Sequence, residues 1–114
     1  MHKQNRLAKR EDFNKVYRWG KSTANHQFVL YRRNKSTPDP LRVGVSVSKK
    51  VGNAVVRNRI RRVVKEIIRL NLDRIEGNSD IIFIARKPVA EMNYDEIQKS
   101  LMHVMRKASL LKKK

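Results

Sequence analysis

The chain has no cysteine. That excludes disulfides, cysteine-ligated zinc and iron–sulfur clusters, and it is compatible with a reducing compartment. Glycine and proline are scarce, at four and three residues in 114, and no linker or repeat divides the chain. One domain over residues 1–114 is expected, with basic, flexible tails at 1–10 and 110–114. No apolar run approaches the roughly 20 residues of a membrane span, and residues 1–10 are too polar for a signal peptide. A cytoplasmic protein without a membrane partner is expected.

Acid is the other shortage. Ten Asp and Glu stand against 28 Lys and Arg, a net charge of +18. A protein nuclease normally needs clustered carboxylates for metal ions, or a paired general acid and base. Glu11–Asp12 and Asp95–Glu96 sit at expected helix starts, where dipole and capping account for them. The other acids are scattered. His2, His26 and His103 have no metal-ligand spacing, and nothing in the pattern supports a His26–His103 acid–base pair. Gly52 stands alone, so there is no glycine-rich phosphate loop. No catalytic residue and no organic cofactor are assigned, and metal binding by the chain itself is left open.

What is present is positive charge on a helical frame. Self-repulsion of this size points to a polyanionic partner, nucleic acid first. From Ser46 to Arg69 the chain reads SVSKKVGNAVVRNRIRRVVKEIIR. Val56, Ile60, Val63, Ile67 and Leu70 recur at helical spacing and should face a core. Arg57, Asn58, Arg61, Arg62, Lys65 and Arg69 fall on the opposite side. Over Val56–Arg69 six cations meet the single acid Glu66, so salt bridging within the helix cannot explain them. A face of arginine forks with an asparagine among them suits phosphate and sugar contacts.

The rest of the chain frames this helix. Glu11 to Lys21 has helical spacing, with Phe13, Val16 and Tyr17 on one face and Gly20 as a stop. Residues 26–33 read as a strand, with Phe28 and Leu30 opposite Val29 and Tyr31. In residues 41–48, Leu41, Val43, Val45 and Val47 alternate with Arg42, Gly44, Ser46 and Ser48, whose small polar side would be left open. Asn53 is an N-cap for the basic helix, predicted to run to about Leu72. Residues 81–85 (IIFIA) read as a strand covered on both faces. Asn93 with Glu96 makes a capping box for a last helix with Ile97, Leu101, Val104 and Ala108 inward. The expected fold is α+β, helix–three strands–helix–strand–helix around a four-stranded mixed sheet. Phe28 and Phe83 are read as core. Phe13, Tyr17 and Tyr31 are either core or a stacking surface for single-stranded RNA. The open side of Arg42–Ser48 leads into the helix, which suggests one continuous RNA floor.

Around KKVGNAVVRNRIRR the sequence resembles the protein subunit of bacterial ribonuclease P. The resemblance lies in Gly52-Asn53-Ala54 followed by Arg57-Asn58-Arg59. It extends to Asp12, Phe13, Val16 and Tyr17, to Phe28–Tyr31, to Arg42–Lys50 and to Ile84–Pro88. It implies a ribonucleoprotein that removes the 5′ leader of precursor tRNA, with chemistry by the RNA subunit and Mg²⁺ held by that RNA and the substrate. It implies that Lys49, Lys50, Asn53, Arg57, Asn58, Arg59, Arg62 and Lys65 meet the catalytic RNA. By the same resemblance Phe13, Tyr17, Tyr31, Ser46, Ser48 and Arg61 would line a cleft for the single-stranded leader. Precursor tRNA and the catalytic RNA are the implied partners, with no obligate protein partner. The family's fold also carries a left-handed crossover between parallel strands. Two readings from other classes stand beside this one: a structural ribosomal or RNA-chaperone protein, and a self-sufficient nuclease.

Overall fold

The computed structural model describes residues 3–35 and 39–112. Three helices, α1 (Arg10–Trp19), α2 (Ala54–Leu70) and α3 (Tyr94–Lys107), accompany four strands. These are β1 (Lys21–Ala24), β2 (Phe28–Arg33), β3 (Arg42–Val47) and β4 (Asp80–Ala85). The sheet order is β1-β2-β4-β3. β1 and β2, and β2 and β4, pair antiparallel, while β3 and β4 pair parallel, so the sheet is mixed. The expected α+β order stands, and β1 supplies the third strand that precedes the basic helix. Among the described residues, no helix is long and apolar enough to cross a membrane.

Alternation along the strands gives the sheet two buried sides. Phe28, Leu30, Val43, Val45, Val47, Ile81 and Phe83 pack with Ile60, Val64, Ile67 and Ile68 of α2 and with α3 residues such as Ile97 and Leu101. On the other side Ile82 packs with Leu7 and Val16, with Phe13, Tyr31 and Ile84 half-buried around them. β4 is therefore covered on both faces, as its continuous apolar run predicts.

Four expectations are refined. The buried arc of α2 runs through Ile60, Val64, Ile67 and Ile68. Leu70, at the edge of that arc and in the last turn, is 55% exposed. The helix also stops at Leu70, where Leu72–Arg74 tightens into a 3₁₀ turn. The segment 1–10, expected as a flexible tail, is docked where it is described. Leu7 is only 4% exposed, its amide donates to the Val43 carbonyl at 3.0 Å, and Asn5 Nδ2 donates to the Leu41 carbonyl at 2.7 Å. One apolar side chain among cations is enough to seat the segment along the free edge of β3. At the other end, Leu110 is fully buried, so the last core residue lies inside the stretch read as a C-terminal tail.

Candidate nucleic-acid interface

α2 begins where β3 ends. Val51 N donates to the Ser48 carbonyl across the turn that carries Lys49 and Lys50. Asn53 Oδ1 accepts from Val56 N at 3.0 Å and caps the helix. A Cβ at Gly52 would stand 2.8 Å from the Val56 side chain, so only glycine lets the turn come this close. Lys49, Lys50, Asn53, Asn58, Arg62 and Lys65 are exposed. Arg57, Arg59 and Arg61 are half-buried, and each half-buried arginine is differently tied. Arg59 Nη2 donates to the Met92 carbonyl at 2.7 Å, joining α2 to the turn before α3. Arg61 Nη1 donates to Asn58 Oδ1 at 3.1 Å. Arg57 Nε is buried without a hydrogen-bond partner among the described residues. Glu66, the one acid in this stretch, is taken by Arg69 through bonds of 3.0 and 2.7 Å. Those bonds hold the Glu66 carboxyl below its ordinary value.

Arg62, Lys65 and Arg69 border a recess of about 310 Å³ that Arg6 closes from the N-terminal segment. Arg6 was not legible as a site residue. Its signal is Leu7, a lone apolar residue that pins this basic segment beside α2.

The aromatic group lies on the α1 side of the sheet. Phe13 and Tyr17 meet edge-on at 6.4 Å, and Tyr17 and Tyr31 at 5.1 Å with their planes at 90°. Gly44 is what lets Phe13 lie on β3. Ser46, opposite Ile84 in the sheet register, shares a hydrogen bond with the Tyr17 hydroxyl. Burial raises the Tyr17 phenol, against that bond, so it stays protonated at neutral pH. Tyr17 is 37% exposed and Tyr31 half-buried, which leaves ring edges and hydroxyls open beside Ser46.

The structure thus brings Phe13, Tyr17, Tyr31 and Ser46 together. Ser48 is exposed just beyond the strand. It does not attach Arg61 to this group, since Arg61 lies with Asn58, Arg62 and Lys65 on α2. The expected single floor is accordingly two surfaces. Val43, Val45 and Val47 face α2 while Gly44 and Ser46 face α1, so the aromatics and α2 occupy opposite sides of the sheet. The turn at residues 48–52 links them around its edge.

Two residues along the sheet from the aromatics, where Arg42 registers with Asp80, is a network that the sequence pattern did not reveal. Asp80 is fully buried. Arg42 grips it with Nε on Oδ1 at 2.9 Å and Nη2 on Oδ2 at 2.7 Å, and turns Nη1 to Asp12 of α1 at 3.1 Å. Lys35 Nζ approaches Asp80 at 3.1 Å. Burial pushes the Asp80 carboxyl up, but the hydrogen bonds from Arg42 and Lys35 outweigh it and hold the group below its usual value. An acid directly before an apolar strand, opposite an arginine on the next, was the available signal. His103 Nδ1 lies 3.2 Å from the Asn25 amide, within a turn-holding group. Among the described residues no three His, Asp or Glu side chains stand together as a metal-binding group.

Comparison with known proteins fits this geometry to a family. The ribonuclease P family profile matches residues 1–109. The chain belongs to the ribonuclease P protein family. A Bacillus cereus ribonuclease P protein component is 48% identical over 110 residues, covering 96% of each chain. The Bacillus velezensis protein of the same name is 50% identical over 113 residues, covering 99% of this chain and 97% of its own. Among solved structures, the Staphylococcus aureus RNase P protein superposes with a TM-score of 0.89 at 44% identity, covering 96% of this chain and all of that one. The Thermotoga maritima RNase P protein gives 0.81 at 31% identity, covering 90% and 96%. Membership carries a place as a protein component of ribonuclease P.

Proposed function

We propose that the chain is the RNA-docking subunit of ribonuclease P in removal of the 5′ leader from precursor tRNA. α2 meets the catalytic RNA and the Phe13–Tyr17–Tyr31 surface meets the single-stranded leader. The observation that carries this is the outward face of α2, whose cations have one neighbouring acid, Glu66, already held by Arg69. Such a face is complementary to an anionic partner, and its arginine forks suit RNA phosphates. The aromatic surface offers rings, hydroxyls and Ser46 to unstacked bases, the features by which single strands are recognised.

Mg²⁺ is assigned to the RNA subunit and substrate. Four of the ten acids are already engaged, Asp80 and Asp12 by Arg42, Glu66 by Arg69 and Glu96 by the α3 cap. The chain's own contribution is to screen phosphate charge and to orient the leader. Its place of action is the cytoplasm.

We also read the β3–α2–β4 crossover as left-handed, against a rule obeyed in about 98% of cases. Backbone chirality supports this. Seen from α2 with β3 running upward, Val43 points at the reader, and the amide and carbonyl of an L-residue so placed point right. That carbonyl meets Leu7 N, outside the sheet's edge, so β4 lies to the left of β3.

The test is the RNA that accompanies the tagged chain from its own cells. One predominant non-ribosomal RNA should co-purify, and that RNA, not the stripped protein, should cleave precursor tRNA. Sedimentation with ribosomal subunits, or cleavage by RNA-free protein, would overturn the reading.

A further inference from the structure

Trp19 stands apart from both surfaces. It is the only tryptophan, lies at the C-terminal end of α1, and is 67% exposed. The Arg18 guanidinium covers one ring face at 5.1 Å. Trp19 also borders a recess of about 410 Å³ shared with Lys21, Thr23, Arg32, Asn34 and Lys107. Lys21 and Arg32 are register partners across β1 and β2. Arg32 Nη1 donates to the Ala108 carbonyl at 3.1 Å, and Lys107 Nζ to the Ala24 carbonyl at 2.8 Å. Those bonds draw the end of α3 against the sheet edge and hold two cations beside the indole. Lys21 and Arg32 alternate with Ser22 and Tyr31, so the recess opens on the side of the sheet opposite the aromatic group.

The chemistry of the lining selects a ligand class. Three cations and no carboxylate line it among the described residues, so it is complementary to an anion. An indole, an amide and a hydroxyl add a stacking plane and polar contacts. The volume falls within the roughly 300–1,000 Å³ of small-ligand sites. An anion carrying a flat polar ring meets all of these features. An acyl chain would find little apolar wall.

We propose that this recess is a second RNA site that takes one unpaired nucleotide, its base against Trp19 and its phosphate among Lys21, Arg32 and Lys107. It adds to the two surfaces above and rests on the reading of the chain as RNA-binding.

Because Trp19 is the sole tryptophan, its emission reports this site directly. The full chain is titrated with a short dye-labelled oligoadenylate while dye anisotropy and Trp19 emission are both recorded. Anisotropy should rise and emission should fall saturably. The fall should persist in Tyr31→Ala and move about tenfold higher in oligonucleotide concentration in Lys21→Glu. A rise in anisotropy with unchanged emission would refute the site and leave RNA binding standing. Quenching lost in Tyr31→Ala but kept in Lys21→Glu would assign the nucleotide to the other surface and also refute it. Equal quenching by pyrophosphate would overturn the stacking assignment. No anisotropy change at all would count against RNA binding itself, and the site with it.

Discussion

Gly44 and Phe13 share one space: a Cβ on Gly44 would lie 2.4 Å from Phe13 Cζ and 3.2 Å from the Leu7 carbonyl. The absence of a side chain in mid-strand therefore seats the first aromatic of the α1 surface. Gly44→Ala should displace Phe13 and cost about 1–3 kcal/mol, the usual range for overpacking. Urea unfolding checks the stability. Binding of a leader-bearing precursor by the assembled enzyme should weaken more than binding of the RNA subunit. Unchanged stability would mean that the ring has room to move.

The Arg42–Asp80 pair sets a pH dependence. The folded Asp80 pKa lies below its unfolded value, so its stabilisation is complete above the ordinary carboxylate range. It is lost as pH falls through the lower, folded value. Asp80→Asn should cost about 3–5 kcal/mol by leaving Arg42 and Lys35 facing an uncharged amide in a buried site. The variant should also lack that acid-side loss. Unfolding midpoints measured from neutral pH downward in both proteins would decide it.

Two arginines of α2 should separate by experiment. Arg62 is exposed on the recess shared with Arg6, so Arg62→Ala should weaken binding of the RNA subunit by about 1–3 kcal/mol. It should also flatten the salt dependence by about one unit while leaving the melting temperature alone. Arg59 holds the Met92 carbonyl, so Arg59→Ala should lower the melting temperature as well, by the loss of about 1.5–3 kcal/mol for a charged hydrogen bond. Equal melting for the two variants would deny Arg59 its structural part.

Most of the fold was legible because its elements carry local signals. Asn53 and Asn93 cap their helices as read, and the continuous run Ile81–Ala85 is the strand buried on both faces. β1 was not placed, because Lys21–Ala24 is short, polar and largely exposed and becomes a strand only through pairing with β2. The site was legible in part for the same reason. Residues 42–65 lie within one strand–turn–helix, so their faces follow from spacing. The pairings of Arg42 with Asp80 and Arg6 with the α2 recess join residues far apart in sequence, and periodicity carries no information on them. Arg61 illustrates the limit. The family resemblance implied a place at the leader surface, whereas helical spacing set it on the outward face of α2, and the structure has it there with Asn58, on the other side of the sheet.

The aromatic surface makes its own prediction. Tyr31 packs its ring against Tyr17 at 5.1 Å and lies away from α2. Tyr31→Ala should therefore leave assembly with the RNA subunit intact and reduce the preference for leader-bearing substrate. At about 1–3 kcal/mol for one stacked base, that preference should fall roughly five- to 150-fold. Gel-shift titration of assembly and competitive cleavage measure the two effects separately.

If this chain holds the leader while RNA performs the cleavage, leader length should govern its effect. Cleavage at limiting Mg²⁺ is measured with the RNA subunit alone and with protein added, on precursors with a full leader and with a single leader nucleotide. The protein should stimulate the full-leader precursor strongly and the short one weakly, and protein without RNA should cleave neither. Equal stimulation of both substrates would contradict it.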